Sequence, residues 1–417
     1  MTSKSRRAAS GRSRQGHDSG CRADHSVRFQ TGDRRREDRL RITAELDDTA
    51  NGYRVWSQSY DKELKDALSI QREISGAITS ALGVHLSRNG FLRRLDGFQN
   101  EAAVNPEAHQ AYLRGRFFWD KLNTKDIKTA ISYFEQAIVL EPDYAEAYEG
   151  LAHCHAQIPV FTDTPASEVI PKIRDAALKA LSLDSSLGEA HLDLAMALDY
   201  DFDWDRAEQE FKKGMELNPG DAVVYRLYSI HLITTGQLHE ALKEEKIALD
   251  LDPVSPFMAQ GMGRSLFFAR RYDEAIEEYR KALALDPNFR LAHWELGTTY
   301  IVNRMYTEGL AELLEASGLS DDSSAAGRLG YVYAASGDTA AARKILTDLE
   351  HSKTGSIRAR DIARIYVGLD DKDRALEWLG ESVDRKVAYL YLKADPVYDP
   401  LRSDRRFTEL LRRMRLI

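Results

Sequence analysis

Three prolines spaced 34 residues apart limit the folds that this chain can adopt. Pro219, Pro253 and Pro287 each follow a stretch of amphipathic sequence, of which YDEAIEEYRKALALDPNF at 272–289 is the clearest example. Small residues keep the same spacing at two other positions: Ala207, Ala241 and Ala275, and Gly214, Ala248 and Ala282. Repetition at a period of about 20 to 50 residues is typical of arrays of stacked units. The middle of the chain is therefore not expected to form a single compact core.

Each repeat is predicted to form two antiparallel helices. Leu194 and Leu198 stand four residues apart, so they lie on one face of the first helix. In the second helix, Ala207 and Gly214 allow a close approach between helices, and the large Phe211 between them fills the remaining space. The proline then ends the second helix, because it lacks a backbone N–H and disfavours helical geometry in the residue before it. One pair cannot bury its apolar face alone, so stacked pairs must build a solenoid.

This pattern resembles the tetratricopeptide repeat family, whose unit is a helix–turn–helix with small, large and proline positions at these places. Three successive units carry the pattern clearly, and more degenerate units extend it on both sides. The resemblance implies an all-α, right-handed solenoid of about eight units over residues 106–385, with an inserted loop, PVFTDTPAS, at 159–167. Residues 386–417 are predicted to cap the last repeat with a helix that carries Phe407, Leu410, Leu411 and Met414.

The resemblance also implies a partner-binding groove, because the first helices of the repeats line a concave face in this family. The residues carried over to that face are Arg226, Ile230, Gln260, Arg264, Phe267, Trp294, Thr298, Tyr331 and Arg364, with Ile233, Phe257, Leu291, Ile301 and Arg360 beside them. Arginines mixed with apolar groups suit an extended or helical peptide that has acidic and apolar side chains. The aromatic residues could instead belong to the core between repeats. Ile230 and Thr298 stand where a carboxylate clamp requires asparagine, so a receptor for C-terminal carboxylates is not expected.

The first 33 residues are predicted to form a disordered basic tail. Residues 1–40 hold 11 Lys and Arg against 5 Asp and Glu, although the whole chain has a net charge of −8. Ser, Gly and Arg dominate the tail, a composition that is typical of disorder. The tail could be a nucleic-acid-binding arm or simply solvated. The second interpretation is favoured, because no recognition helix accompanies the charge, and no sequence-specific nucleic-acid partner is expected.

Residues 34–100 show a different periodicity. Apolar residues alternate in RLRITAEL at 39–46 and in YRVWSQS at 53–59, and the turn-rich stretch DTANG joins them, which predicts a β-hairpin. Apolar residues from Ile70 to Leu82 follow helical spacing. This region resembles the C-terminal half of a TolB amino-terminal-domain-like module, and the earlier half of that module is absent. A partial α+β module is therefore predicted ahead of the solenoid.

No catalytic, cofactor or metal site is predicted. His153, Cys154 and His155 are consecutive, so on a helix they point about 100° apart and cannot converge on one ion. The stretch GMGRSL at 261–266 lacks the third glycine and the preceding strand of a dinucleotide-binding loop. The longest apolar stretches are much shorter than the ~20 residues that span a bilayer, so no membrane insertion is expected. Two cysteines do not make a disulfide framework, which favours a cytoplasmic location.

These observations predict a non-enzymatic scaffold that binds a protein or peptide partner in a bacterial regulatory system. TolB-like modules with such repeats usually accompany a nucleotide cyclase, a protein kinase or a winged-helix DNA-binding domain. The alternative is therefore the effector-binding half of a truncated regulator of one of these three kinds.

Overall fold

A computed structural model describes residues 25–31, 39–48, 54–63, 105–119, 124–161, 164–318, 324–351, 357–387 and 391–417 of the chain. These residues belong to two units, one before and one after the boundary between residues 103 and 104. Within the described helices, none combines the length and the apolar composition that crossing a bilayer requires.

The first unit contains a three-stranded antiparallel sheet in the order β1-β2-β3, formed by His25–Thr31, Arg39–Asp48 and Arg54–Glu63. Strands β2 and β3 occupy the two segments predicted to form a hairpin, with Leu46 opposite Trp56. Strand β1 lies inside the segment predicted to be a disordered tail, so the boundary at residue 33 was placed too late. Its short alternation, HSVRFQT, is masked by the surrounding charge. The predicted helix at 70–82 and the tail before residue 25 lie outside the described residues.

The second unit is helical. Its described residues form seventeen α-helices and one 3₁₀ helix, Pro396–Leu401. The α-helices are α1 Pro106–Trp119, α2 Thr124–Leu140, α3 Ala145–Phe161, α4 Ala166–Leu183, α5 Gly188–Tyr200, α6 Trp204–Leu217, α7 Ala222–Thr235, α8 Leu238–Leu251, α9 Pro256–Phe268, α10 Tyr272–Leu285, α11 Arg290–Val302, α12 Tyr306–Gly318, α13 Ser324–Ser336, α14 Thr339–His351, α15 Ile357–Gly368, α16 Lys372–Asp384 and α17 Arg405–Arg413.

Helices α1 to α16 form eight successive pairs, each of which packs against the next, so the predicted all-α solenoid is confirmed. The small positions act as expected. A Cβ atom added at Gly263 in α9 would lie 2.6 Å from Tyr279 Cε1 in α10, so the glycine allows the tyrosine to pack directly against the backbone. Phe211 is likewise buried, with 1% of its surface exposed. Helices α6, α8 and α10 end just before the three periodic prolines.

The insertion at 159–167 is shorter than predicted. Helix α3 continues through Pro159 to Phe161, and α4 already begins at Ala166. Since a proline in a helix removes one N–H donor, it marks a weak point, and here the helix ends shortly after it. Most of the predicted loop therefore belongs to the two helices.

Candidate functional site on the inner face

Arg226, in the first helix of its repeat, lies at the centre of a buried polar network. Its guanidinium donates from Nη1 to the carbonyl oxygen of Phe257 at 2.8 Å and from Nη2 to Gln260 Oε1 at 2.6 Å. Arg226 Nη1 also forms an ion pair with Glu245 Oε1 at 3.4 Å. The central carbon of the guanidinium, Cζ, lies 3.6 Å from the centroid of the Phe257 ring. Gln260 in turn donates to the Glu295 carboxylate. The network links the first helices of three successive repeats, α7, α9 and α11.

Burial shapes the charges in this network. Burial and, second to it, the neighbouring positive charge of Arg264 together lower the pKa of Arg226 to about 10. Burial also raises the pKa of the Glu245 carboxyl, and the two arginines oppose that rise. Arg264 is buried too, and its Nε and Nη2 atoms make no hydrogen bond with the residues that the structure describes. The negative charges of Glu245 and Glu295 therefore balance the buried positive charges of Arg226 and Arg264.

The other predicted groove residues also contact the protein itself. Phe267 belongs to the large apolar core, with its ring 5.2 Å from the Phe268 ring. Trp294 is covered by the Arg290 guanidinium, 4.2 Å above its ring. Thr298 donates to the Trp294 carbonyl oxygen at 2.8 Å. Six of the nine predicted residues are buried, namely Arg226, Ile230, Gln260, Arg264, Phe267 and Trp294. The other three are partly buried: Thr298, Tyr331 and Arg364.

The expectation of an open groove is therefore not met at these nine positions. The physical reason is that the first helices pack closely enough for their inward side chains to contact one another. A second reason is that residues 386–417, named the C-terminal segment here, return to the same face. Residues that the repeat positions place on an accessible concave face are therefore mostly buried inside the protein.

The C-terminal segment contacts the ends of several first helices. Lys386 forms an ion pair with Asp201, the residue after α5. The Tyr391 ring packs on Phe268, the last residue of α9, with 4.7 Å between ring centroids. Two further ion pairs at 2.8 Å join Arg364 to Asp395 and Arg270 to Asp399. The segment thus lies against repeats that are far from it in sequence.

The four residues that the sequence predicts for the cap lie beside the last repeat. Phe407, Leu410 and Met414 are buried, Leu411 is partly buried, and all four pack in the apolar cluster that contains α15 and α16. The same cluster includes Trp204 from the start of α6. Sequence reasoning could not find this contact, because no periodic pattern connects the end of the chain to α6.

The His153-Cys154-His155 stretch does not act as a unit. Burial lowers the pKa of His155 to about 4 and raises the pKa of the Cys154 thiol. His153 points elsewhere, toward Asp193 on α5 and Glu149 on its own helix. Sequence reasoning missed this group because Asp193 is forty residues away in the chain.

Comparison with known proteins supports the repeat assignment. Residues 263–301, which include the end of α9, all of α10 and nearly all of α11, match the family model described as TPR repeat. Human IFIT1, solved as a dimer with PPP-AAAA, is 15% identical and has a TM-score of 0.54, with 84% of each chain covered. Residues 263–301 therefore carry the tetratricopeptide repeat signature, and the helical unit shares its solenoid fold with IFIT1.

Two curated relatives match shorter stretches. Putative adenylate cyclase 3 of Rhizobium meliloti (strain 1021) is 26% identical over 183 residues, 42% of this chain and 29% of the cyclase. Transcriptional regulator HilA of Salmonella typhimurium is 27% identical over 150 residues, 35% of this chain and 27% of the regulator. The chain thus spans less than a third of the length of these relatives.

Proposed function

We propose that the chain is a non-catalytic scaffold for protein–protein interaction, and that its inner face receives an extended polypeptide with acidic and apolar side chains. The C-terminal segment carries this proposal, because it lies against that face with the same chemistry. Its Asp395 pairs with Arg364, and its Tyr391 packs on Phe268. A partner with similar side chains would make the same contacts.

A partner then competes with the C-terminal segment for the inner face. The segment and a partner cannot both contact the same arginines and apolar surface. The apparent affinity for the partner is therefore its intrinsic affinity multiplied by the fraction of molecules in which the inner face is uncovered. Two of the ion pairs that hold the segment, Arg270–Asp399 and Lys386–Asp201, are partly exposed and contribute little each, whereas the Arg364–Asp395 pair is largely buried. Exchange with a partner therefore requires the segment to release the largely buried Arg364–Asp395 pair and the Tyr391 contact with Phe268.

The test is capture of a partner by the full chain and by a variant with a loosened segment. Tyr391→Ala removes the ring contact with Phe268 and is expected to increase capture. Arg412→Ala is the matched control, because Arg412 forms an exposed pair with Glu409 within α17. A synthetic peptide of residues 391–417 should displace the captured protein. Equal capture by parent and Tyr391→Ala, together with no competition by the peptide, would show that the partner binds elsewhere.

A second candidate function is the regulatory part of a cyclase or a transcription regulator. The two curated relatives support it, because one is named as an adenylate cyclase and the other as a transcriptional regulator. On this proposal β1–β3 belong to a TolB-like module that precedes the repeats in a bacterial regulatory protein of the cytoplasm. An in-frame catalytic or winged-helix domain in the upstream genomic sequence would favour this candidate.

We further propose that the basic charge of the N-terminal tail reads no nucleic-acid sequence. Charge alone gives affinity that depends on salt and not on base sequence. The full chain should therefore bind different DNA duplexes equally weakly at physiological salt. Selective binding to one duplex under those conditions would contradict this proposal.

A further inference from the structure

A cluster of one imidazole and two carboxylates lies between α3 and α5. Glu149 and His153 stand four residues apart on α3 and so share one face of that helix, and Asp193 approaches them from α5. His153 Nδ1 is 3.0 Å from Asp193 Oδ1, and one ligand atom of each residue lies within 4.8 Å of the other two. Within the described part of the chain, no second set of three His, Cys, Asp or Glu residues converges in this way.

The carboxylate of Asp193 is buried, and His153 is its one ion-pair partner among the described residues. Its side chain is only 1% exposed, and neither oxygen completes a directed hydrogen bond with a protein group, although His153 is close. Glu189 places a further negative charge nearby. The Arg116 guanidinium is the positive group that acts on Glu149 and His153, and it lies over the Trp119 ring at 5.7 Å. Buried carboxylates of this kind are stabilised by coordination of a cation.

Other histidine–carboxylate pairs in the same solenoid show what a purely structural pair looks like. His231 Nδ1 and Asp199 Oδ1 form a hydrogen bond of 2.7 Å without a third acidic ligand. Two more pairs have the same form at 2.6 Å: His191 with Glu210, and His293 with Glu312. In each of these pairs the imidazole and the carboxylate complete a hydrogen bond with each other, whereas the cluster at Asp193 has two carboxylates for one imidazole, and neither Asp193 oxygen completes one with the described residues.

We propose that Glu149, His153 and Asp193 bind a divalent transition-metal ion of the zinc type. An imidazole nitrogen with carboxylate oxygens suits Zn²⁺ at bond lengths of about 2.0–2.2 Å, whereas Mg²⁺ and Ca²⁺ prefer oxygen ligands alone. Three protein ligands leave one position open in a tetrahedral site. The ion would join the first helices of two successive repeats.

Gln157 is placed to orient the His153 ring once a metal ion is bound at Nδ1. Its side-chain nitrogen lies 3.3 Å from His153 Nε2, and rotation of the amide presents its oxygen to that ring atom instead. An Nε2–H donated to this oxygen fixes the tautomer in which Nδ1 is free to bind the metal.

The test uses the full chain without a histidine tag, and Zn²⁺ as the probe. Titration calorimetry and equilibrium dialysis are expected to give one saturable Zn²⁺ per chain, and Zn²⁺ should raise the thermal midpoint where Mg²⁺ does not. Glu149→Gln and Asp193→Asn should each weaken binding at least about 100-fold, because even partners outside the ligand set cost about 10- to 100-fold. Asp199→Asn, which alters a structural pair, is the matched control and should keep full affinity.

A metal-free measurement keeps the proposal testable if a variant folds poorly. Each variant is compared with its own metal-free melt, and Glu149 is partly exposed, so Glu149→Gln should fold. The Zn²⁺-dependent rise in midpoint should vanish in both ligand variants and remain in Asp199→Asn. Absence of saturable Zn²⁺ binding to the parent, or unchanged binding in Glu149→Gln, would overturn the proposal.

Discussion

The indole N–H of Trp204 donates a hydrogen bond to the carbonyl oxygen of Met414, 2.7 Å away, although 210 residues separate the two in the chain. Trp204 is the first residue of α6, and Met414 directly follows α17. Phe202 and Trp204 also pack against the apolar cluster of the last repeat. The end of the chain thus returns to the middle of the solenoid.

Replacing Trp204 with Phe should destabilise the helical unit by about 1–3 kcal/mol, because the ring packing is largely kept while a partly buried carbonyl loses its donor. Trp378→Phe is the matched control. The Trp378 Nε1 atom is buried without a hydrogen-bond partner among the described residues, so its removal should be neutral or stabilising. Denaturant unfolding measures both variants, and an equal loss in the two would contradict the assigned role of the hydrogen bond.

Replacing Arg226 with Met should cost about 3–5 kcal/mol, because the Glu245 carboxylate is left buried without its ion pair. A second substitution, Glu245→Leu, should recover much of that loss by removing the stranded charge. Lys246→Ala, which breaks only an exposed pair with Asp250, should change little. These free energies of unfolding come from denaturant titration. A double variant no more stable than Arg226→Met would argue against the buried pair.

Replacing Gly263 with Ala should destabilise the repeat by about 1–3 kcal/mol, because the added methyl group meets the Tyr279 ring at 2.6 Å. Gly220→Ala provides the control, since no atom lies within 4 Å of a Cβ at that position. Thermal unfolding of the two variants should therefore differ clearly. A similar midpoint in both would mean that α9 and α10 can separate without loss.

The start of α17 should weaken in acid. Asp404 accepts a hydrogen bond from the Arg406 backbone N–H at 2.8 Å and pairs with the Arg406 side chain at 2.7 Å. The side-chain hydrogen bond of Arg406, followed by its backbone N–H, lowers the pKa of Asp404 from 3.8 to about 2. A carboxyl with a lowered pKa contributes stability above its unfolded value, and this contribution is lost as the pH falls from about 4 toward 2.

Asp404→Asn keeps the capping oxygen but not the charge, so its thermal midpoint should fall less than that of the parent between pH 5 and pH 2. Glu409→Gln, on the exposed face of the same helix, should follow the parent. If the thermal midpoints of Asp404→Asn and the parent fall in parallel with pH, the Asp404 carboxyl does not contribute pH-dependent stability in this range.

The repeat period was sufficient to predict the solenoid, because each helix pair depends on local spacing. The burial of Ala207, Phe211 and Gly214, and the helix ends before the prolines, follow from sequence alone. Strand β1 was missed because a short alternation is a weak signal within a charged segment. The helix pairs were found without any long-range information.

The inner face could not be predicted in the same way. Repeat positions identify which residues point inward, but they do not show how closely neighbouring repeats pack or what returns to cover them. Tyr391 reaches Phe268 because the C-terminal segment returns to the end of α9, and Asp193 reaches His153 because α5 packs beside α3. Burial of Arg226 and Gln260 depends on the same geometry. Contacts between distant residues therefore decided the parts of the site that sequence reasoning missed.

The hydrogen bond between Trp204 and Met414 also determines which helices of the solenoid should unfold together. In a linear solenoid each repeat contacts only its neighbours, so terminal repeats can open independently. Here α5–α17 form a closed circuit of contacts through Lys386 and Met414. These helices should open together as one cooperative block, whereas α1–α4 remain outside the circuit and can separate first, which amide hydrogen exchange would resolve as two levels of protection.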